Sequence, residues 1–300
     1  MLLFGLVGLA GMVGLGVATA VHRWPSRDPA APRLASPQIR ATVHRHPRLR
    51  AMFRSRVDPS VATGLALTGA ILTLVVAATA IGLLAVMVRT NFGLAHYDPR
   101  VALWVSRHDT ASETPTLRFI SQFGGALLVI PLAVIVATIE SLRMRSRAVW
   151  AFLLLVVGGQ FLLANTIKFF VDRARPTLNQ LTGFSGKSFP SGHATAAAAT
   201  YAAFALLLGS RRSLNTKAIS AGSAVAIAIL IAGTRVLLGV HWLTDVVAGL
   251  VLGWAWFAIC SFAFGGRLLH FGAPIAAAEQ AASQGAATTP EPGPTQAARV

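Results

Sequence analysis

The chain has 300 residues, 54% of them hydrophobic and only 12% charged, with a mean hydropathy of +0.63. Its apolar residues fall in long blocks, which excludes the composition of a soluble enzyme and indicates a polytopic helical membrane protein. The formal charge of +16 sits mostly in short segments beside those blocks, where lipid headgroups and membrane orientation account for it better than nucleic acid does.

Residues 1–21 are apolar throughout, with Gly5, Gly8, Gly11 and Gly14 spaced to line one flank of a helix and permit close packing. The segment has no basic leader, and Ala18-Thr19-Ala20 is a weak cleavage site, so an extra membrane helix is expected rather than a removed signal peptide. Residues 22–60 are of opposite character, arginine-rich and broken by prolines; they read as a cytoplasmic, positive-inside linker rather than a nucleic-acid arm.

A first long hydrophobic helix is predicted from Val61 to Val88. The connection from Arg89 to Ser121 is long for a bundle and carries amphipathic stretches, so it is placed along the membrane interface with Tyr97 and Trp104 as headgroup-level anchors. Further spans follow at about Gly124 to Ile139, Val149 to Ile167, Ala194 to Leu208, Ile219 to Leu238 and Val246 to Phe264, which makes six with the first. The fold class is therefore all-α: a six-helix core over 61–266, with the additional N-terminal helix beside it. The tail, 267–300, is rich in Ala, Gln, Pro and Thr and lacks apolar periodicity, so it is expected to be disordered.

Two basic turns, Arg143-Met144-Arg145-Ser146-Arg147 and Arg211-Arg212 to Lys217, share the cytoplasmic side with the linker by the Lys/Arg bias. Residues 89–123, 168–193 and 235–245 then all emerge on the outer face. With seven helices the N-terminus lies outside and the C-terminus is cytoplasmic. The single cysteine, Cys260, lies within an apolar block, which leaves no intramolecular disulfide and no cysteine metal site.

The residues that carry chemistry lie in those outer segments. Phe189-Pro190-Ser191-Gly192-His193 opens an apolar helix, whose first backbone N–H groups lack partners and favour an anion; a hydroxyl and an imidazole stand beside them. Lys168 through Arg175-Pro176 precedes it, and Arg235 through His241 and Asp245 follows. Taken singly, Lys168 and Arg175 could merely snorkel at a helix end, and interfacial histidines are often plain hydrogen-bonding neighbours. Arg235 is harder to dismiss beside the aliphatic run Ile229-Leu230-Ile231, where a cation needs a partner or an anion.

The three clusters, Lys168-x6-Arg175-Pro176, Pro190-Ser191-Gly192-His193 and Thr234-Arg235-x5-His241-x3-Asp245, resemble in order and spacing the motifs of the type 2 phosphatidic acid phosphatase superfamily, to which the vanadium-dependent haloperoxidases also belong. Thr234 stands where serine is usual and keeps the hydroxyl. The resemblance implies an integral membrane lipid phosphatase. His241 would be the nucleophile that forms a phosphohistidine, with Asp245, four residues on and on the same helical face, as the acceptor fixing its tautomer. His193 would protonate the leaving oxygen and then activate water, while Lys168, Arg175, Ser191, the Gly192 backbone N–H and Arg235 cradle the phosphate oxygens.

Pro176 is read as redirecting the chain, and Asp172 as a structural partner of Lys168. Asp98, Asp109 and Glu113 are too scattered for a carboxylate metal site, and no cofactor or metal is expected. The implied partners are the bilayer and a lipid phosphate, with no nucleic acid: a polyprenyl diphosphate such as undecaprenyl diphosphate, which the outward site slightly favours, phosphatidic acid or phosphatidylglycerol phosphate. Rival readings are a lipid phosphotransferase, a vanadate-dependent peroxidase, and a non-catalytic lipid-binding or transport protein. The last would have no use for an intact nucleophile, acid and orienting carboxylate. Oligomeric state is not legible.

Overall fold

The computed structural model describes residues 1–23 and 59–269, apart from 110, 179, 184, 185 and 211. Most of the arginine-rich linker and the C-terminal tail lie outside the described residues. Among the described residues every regular element is helical: α1 (Leu2–Arg23), α2 (Pro59–Thr90), a 3-10 turn (Gly93–Tyr97), α3 (Asp98–His108), α4 (Thr114–Gln122), α5 (Ala126–Met144), α6 (Ala148–Val171), α7 (Gly192–Gly209), α8 (Leu214–Leu237) and α9 (Leu243–Leu269). Seven of these, all but the 3-10 turn, α3 and α4, are long and apolar enough to cross a membrane. At 1.5 Å per residue the 24 residues of α6 reach about 36 Å, enough to span a bilayer's hydrocarbon. The chain is an integral membrane protein.

α7 is the central helix: 61% of its span is buried, against 11% for α1. Its sequence explains this. Ala196, Ala197, Ala198 and Ala199 are all fully buried, and such short side chains let neighbouring backbones approach where no aqueous hydrophobic effect drives helices together. From α9, Gly249 and Gly253 complete the contact: a Cβ at Gly249 would stand 2.6 Å from the Ser191 carbonyl oxygen, and one at Gly253 would overlap that of Thr195. The α6–α9 contact is made likewise, with Gly159 admitting the Trp256 indole, whose Nε1–H donates to the Val156 carbonyl at 3.1 Å.

α1 packs on α8, yet of the predicted glycine flank only Gly14 takes part in the packing. Gly5, Gly8 and Gly11 meet nothing, whereas Leu6, Ala10, Gly14 and Ala18 form the contact: Ala10 is buried, Leu6 seats on Gly233, and Gly14 and Ala18 seat on Gly222. Steps of three residues turn progressively away from a neighbour, while steps of four follow the ridge that fits a facing groove.

The described residues of 172–191, with 238–242, gather with α3 and α4 at one end of the bundle, joined by Leu181 N–H to the Leu238 carbonyl (3.0 Å) and Arg175 Nη1 to the Val240 carbonyl (2.8 Å). The short basic turns sit at the other end. Arg143 is more than a topology charge there. It pairs with buried Glu140 at 2.5 Å and donates to the carbonyls of Leu207 (2.9 Å) and Ser210 (3.3 Å), capping α7. The segment predicted to lie along the interface folds as the 3-10 turn, α3 and α4, with Tyr97 and Trp104 both about half exposed.

Candidate active site

Ser191 is the N-cap of α7, in extended conformation, and its own backbone N–H donates to the Asp245 carbonyl at 2.9 Å. Its hydroxyl caps nothing: Oγ is buried without a hydrogen-bond partner. Just beyond, a Cβ at Gly192 would lie 3.6 Å from the Lys168 Nζ, so the ammonium at the end of α6 stands over the start of α7. An ammonium, a hydroxyl and the unpaired amides of a first helical turn thus occupy one place, a donor set for a tetrahedral anion.

His241 follows a turn through Gly239, whose φ of +68° lies in the left-handed region that favours glycine. Its Nδ1 faces Asp245 Oδ2 at 3.3 Å, and its Nε2 lies 3.1 Å from Arg175 Nη1. A guanidinium only donates and a carboxylate only accepts, so both neighbours call for the same neutral tautomer, with the proton on Nδ1 and a lone pair on Nε2. Burial pushes the imidazole down to about 4, against the opposing pull of Asp245. Burial also lowers the Arg175 guanidinium below its ordinary value, partly offset by Asp245. Arg175 is further held by the carbonyls of Gly186 (2.9 Å) and Lys187 (3.3 Å).

Arg235 is buried near the end of α8. Its Nη1 donates to Ser121 Oγ at 2.6 Å, while its Nε has no partner. Its carbonyl accepts from the backbone N–H groups of Val240 and His241, each at 3.3 Å, so the residue that supplies a cation also sets the turn carrying the imidazole. His193 lies in the first turn of α7. It is backed by the Gly124-Gly125 turn, where a Cβ at Gly125 would come 3.4 Å from Nε2. All eight residues singled out from the sequence lie at the same end of the bundle, around the N-terminus of α7.

Other members of the site carried no signal in the sequence. Ser188 Oγ donates to Asp245 Oδ2 at 2.7 Å, and the Trp242 N–H does so at 3.0 Å. Arg173 Nη1 donates to Asp245 Oδ1 at 2.6 Å, and its Nη2 reaches Asp98 at 2.7 Å. Asp98, expected to be one of several scattered acids, is 1% exposed and fully engaged. Ser121 was read only as the end of a connection.

Asp172 does not pair with Lys168. It closes α6 in left-handed conformation (φ +51°) and meets Lys187 at 2.5 Å, while Lys168 is turned toward α7. Among the described residues no three His, Cys, Asp or Glu side chains gather into a metal-binding group.

Residues 148–267 match the family model described as the PAP2 superfamily. Lipid A 1-phosphatase of Rhizobium etli is 40% identical over 119 residues, covering 36% of this chain and 47% of that protein. The Rhizobium johnstonii lipid A 1-phosphatase gives the same identity over the same length, with 45% of its chain covered. Phosphatidylglycerophosphatase B of Bacillus subtilis is 35% identical over 138 residues, which is 45% of this chain and 66% of that one. The match thus spans about half the length of the two lipid A 1-phosphatases. Among solved structures, the crystal structure of a transmembrane PAP2-type phosphatidylglycerolphosphate phosphatase from Bacillus subtilis superposes with a TM-score of 0.58 at 27% identity, covering 64% of this chain and 94% of that one.

Proposed function

The chain carries a PAP2 superfamily domain, and we propose that it is an integral membrane phosphatase that removes phosphate from a lipid through a phosphohistidine intermediate. The reading is carried by one observation: His241, its Nδ1 on Asp245 and its Nε2 on Arg175 Nη1, stands at the end of the bundle where the Ser191 hydroxyl and the Arg235 Nε are buried without partners.

In the first half-reaction His241 Nε2 attacks phosphorus in line with the leaving oxygen. The N–P bond forms as the P–O bond to the lipid breaks, and His193 delivers its proton to that oxygen. Asp245 accepts from Nδ1–H and offsets the positive charge that develops on the ring. Arg175 leaves Nε2 and joins Lys168, Arg235, the Ser191 hydroxyl and the Gly192 N–H around the three equatorial oxygens. In the second half-reaction neutral His193 takes a proton from water, the hydroxide attacks phosphorus, and His241 leaves as neutral imidazole with inorganic phosphate as product.

The substrate class is a lipid monophosphate or diphosphate whose headgroup reaches the site from the membrane surface while its chains stay in the bilayer. The names of the relatives point to lipid A 1-phosphate and phosphatidylglycerophosphate, and the positive-inside bias, which turns the site outward, favours undecaprenyl diphosphate. Purified protein in detergent, presented with these three lipids and phosphatidic acid, should release inorganic phosphate from at least one, with EDTA present or absent. Phosphate passed instead to an added acceptor lipid would make the protein a phosphotransferase, and no turnover of any lipid phosphate would refute the hydrolase reading.

A further inference from the structure

Two buried carboxylates, Asp245 and Asp98, and the partly buried guanidinium of Arg173 between them form a network behind His241. Asp245 (0% exposed) takes Arg173 Nη1 on Oδ1, while its Oδ2 serves His241, Ser188 and the Trp242 N–H. The other nitrogen of the same guanidinium meets Asp98, the first residue of α3. Asp98 is also locked to the start of α9: its Oδ1 accepts the Thr244 N–H at 3.0 Å, and its Oδ2 accepts the Thr244 hydroxyl, whose oxygen in turn accepts from Arg173 at 2.8 Å. The Arg173 guanidinium lies over the Trp242 ring, 5.2 Å from its centroid.

From this geometry we propose that Asp98 and Arg173 are positioning residues for the reaction: the Asp98–Arg173 pair fixes the carboxylate of Asp245, and through it the orientation and proton affinity of His241. The inference rests on the hydrolase reading above. A guanidinium that bridges two buried carboxylates has a single arrangement in which both are paired, and that arrangement leaves one Asp245 oxygen for His241. Charge follows the same path: the one Arg173 cation is shared between the carboxylates of Asp245 and Asp98. Through Asp98 the pair also ties the interfacial helix α3, which exposes Leu103 and Trp104, to the centre of the site.

The test is steady-state hydrolysis by purified full-length protein in detergent across pH, with lipid A, phosphatidylglycerophosphate and undecaprenyl diphosphate as substrates. Asp98→Asn and Arg173→Gln should each lower kcat by about tenfold to a hundredfold, with KM little changed. The acid limbs should move in opposite directions. Arg173→Gln removes a cation behind Asp245 and should shift the limb to higher pH, whereas Asp98→Asn removes an anion and should shift it lower. The other charged or titratable groups facing His241, which are Asp245 of α9, Arg175 of the adjoining loop, Arg235 of α8, His193 of α7 and Lys168 of α6, are common to all variants. Arg173→Lys, which keeps the cation, should recover part of kcat and the wild-type limb, and it carries the test if Arg173→Gln does not fold. Variants that lose thermal stability while kcat and acid limb stay at wild type would overturn the inference. A wild-type protein that releases no phosphate would sink the hydrolase reading, and this inference with it.

Discussion

Arg175 and His241 meet at 3.1 Å, guanidinium Nη1 to imidazole Nε2, so the nitrogen proposed to attack phosphorus is held unprotonated by a neighbouring cation. The same guanidinium is bound to the Val240 carbonyl, one residue before the imidazole, and so follows the turn it guards. In the proposed mechanism an arriving phosphate takes Arg175 from Nε2, which would bring the cation onto the substrate and free the lone pair in one movement.

Replacing His241 with alanine should abolish phosphate release, by at least about ten-thousand-fold, because no other side chain offers a lone pair in that place. Asp245→Asn keeps the shape but presents an amide where Nδ1–H needs an acceptor, and a loss of about a thousandfold or more is expected. Trapping the acid-labile phosphoenzyme separates the two: it should be absent from the first variant and slow to form in the second. Wild-type turnover in His241→Ala would falsify the mechanism.

An exposed histidine titrates near 6.5, whereas burial brings His241 to about 4. The nucleophile therefore stays neutral in mildly acidic solution, and the acid limb of kcat/KM should lie near 4 rather than near 6.5. Stability should follow the same window. Between those two values the unfolded chain binds the proton and the folded chain does not, so stability falls as pH drops from about 6.5 to 4 and this contribution levels off below. Thermal midpoints across pH, compared with those of His241→Ala, isolate it. An acid limb at 6.5 would mean that the ring is hydrated and the burial argument wrong.

Ser121→Ala should weaken phosphate binding. The hydroxyl is 2.6 Å from Arg235 Nη1, and a hydrogen bond to a charged group is worth about 1.5–3 kcal/mol, or roughly tenfold to a hundredfold in kcat/KM if it orients the guanidinium toward the transition state. Ser121→Thr, which retains the oxygen, should recover most of it. Equal kinetics for wild type and Ser121→Ala would show that Arg235 needs no such support.

Gly249→Val tests the contact between α7 and α9. The first added carbon would stand 2.6 Å from the Ser191 carbonyl and 2.9 Å from the Ala194 Cβ, so the start of α7 has to move. Overpacking of this kind costs about 1–3 kcal/mol. Because the displaced residues include Ser191 and Gly192, activity per folded molecule should fall together with the thermal midpoint.

How much of this was legible beforehand depended on whether the physics is local. The apolar blocks declare membrane helices because a bilayer demands their length, and Pro190 to His193 could be read as a helix start from residues adjacent in the chain. Asp98, Arg173, Ser188 and Ser121 were not legible in the same way. Each acts through a partner remote in sequence, and an acid or a serine in a polar connection has the same local appearance whether it is buried or solvated. The α1 contact was misread for a related reason: its glycines were visible, but the ridge that packs is chosen by the facing helix, which selected Leu6, Ala10, Gly14 and Ala18. Asp172 was assigned to Lys168 by helical spacing, but the helix ends at Asp172 itself.

The clamp at the far end of α7 bears on how the molecule sits in different membranes. Arg143 and Glu140 fasten the carbonyls of Leu207 and Ser210, while the Ser191 N–H is tied to Asp245 at the opposite end, so this helix is pinned like an axle at both bearings. The outer helices α1, α2 and α5 are the least buried of the spans, so a bilayer that thins or thickens should act on them first. Ser191, Gly192 and His193, mounted on the axle, should keep their places while the rim adjusts.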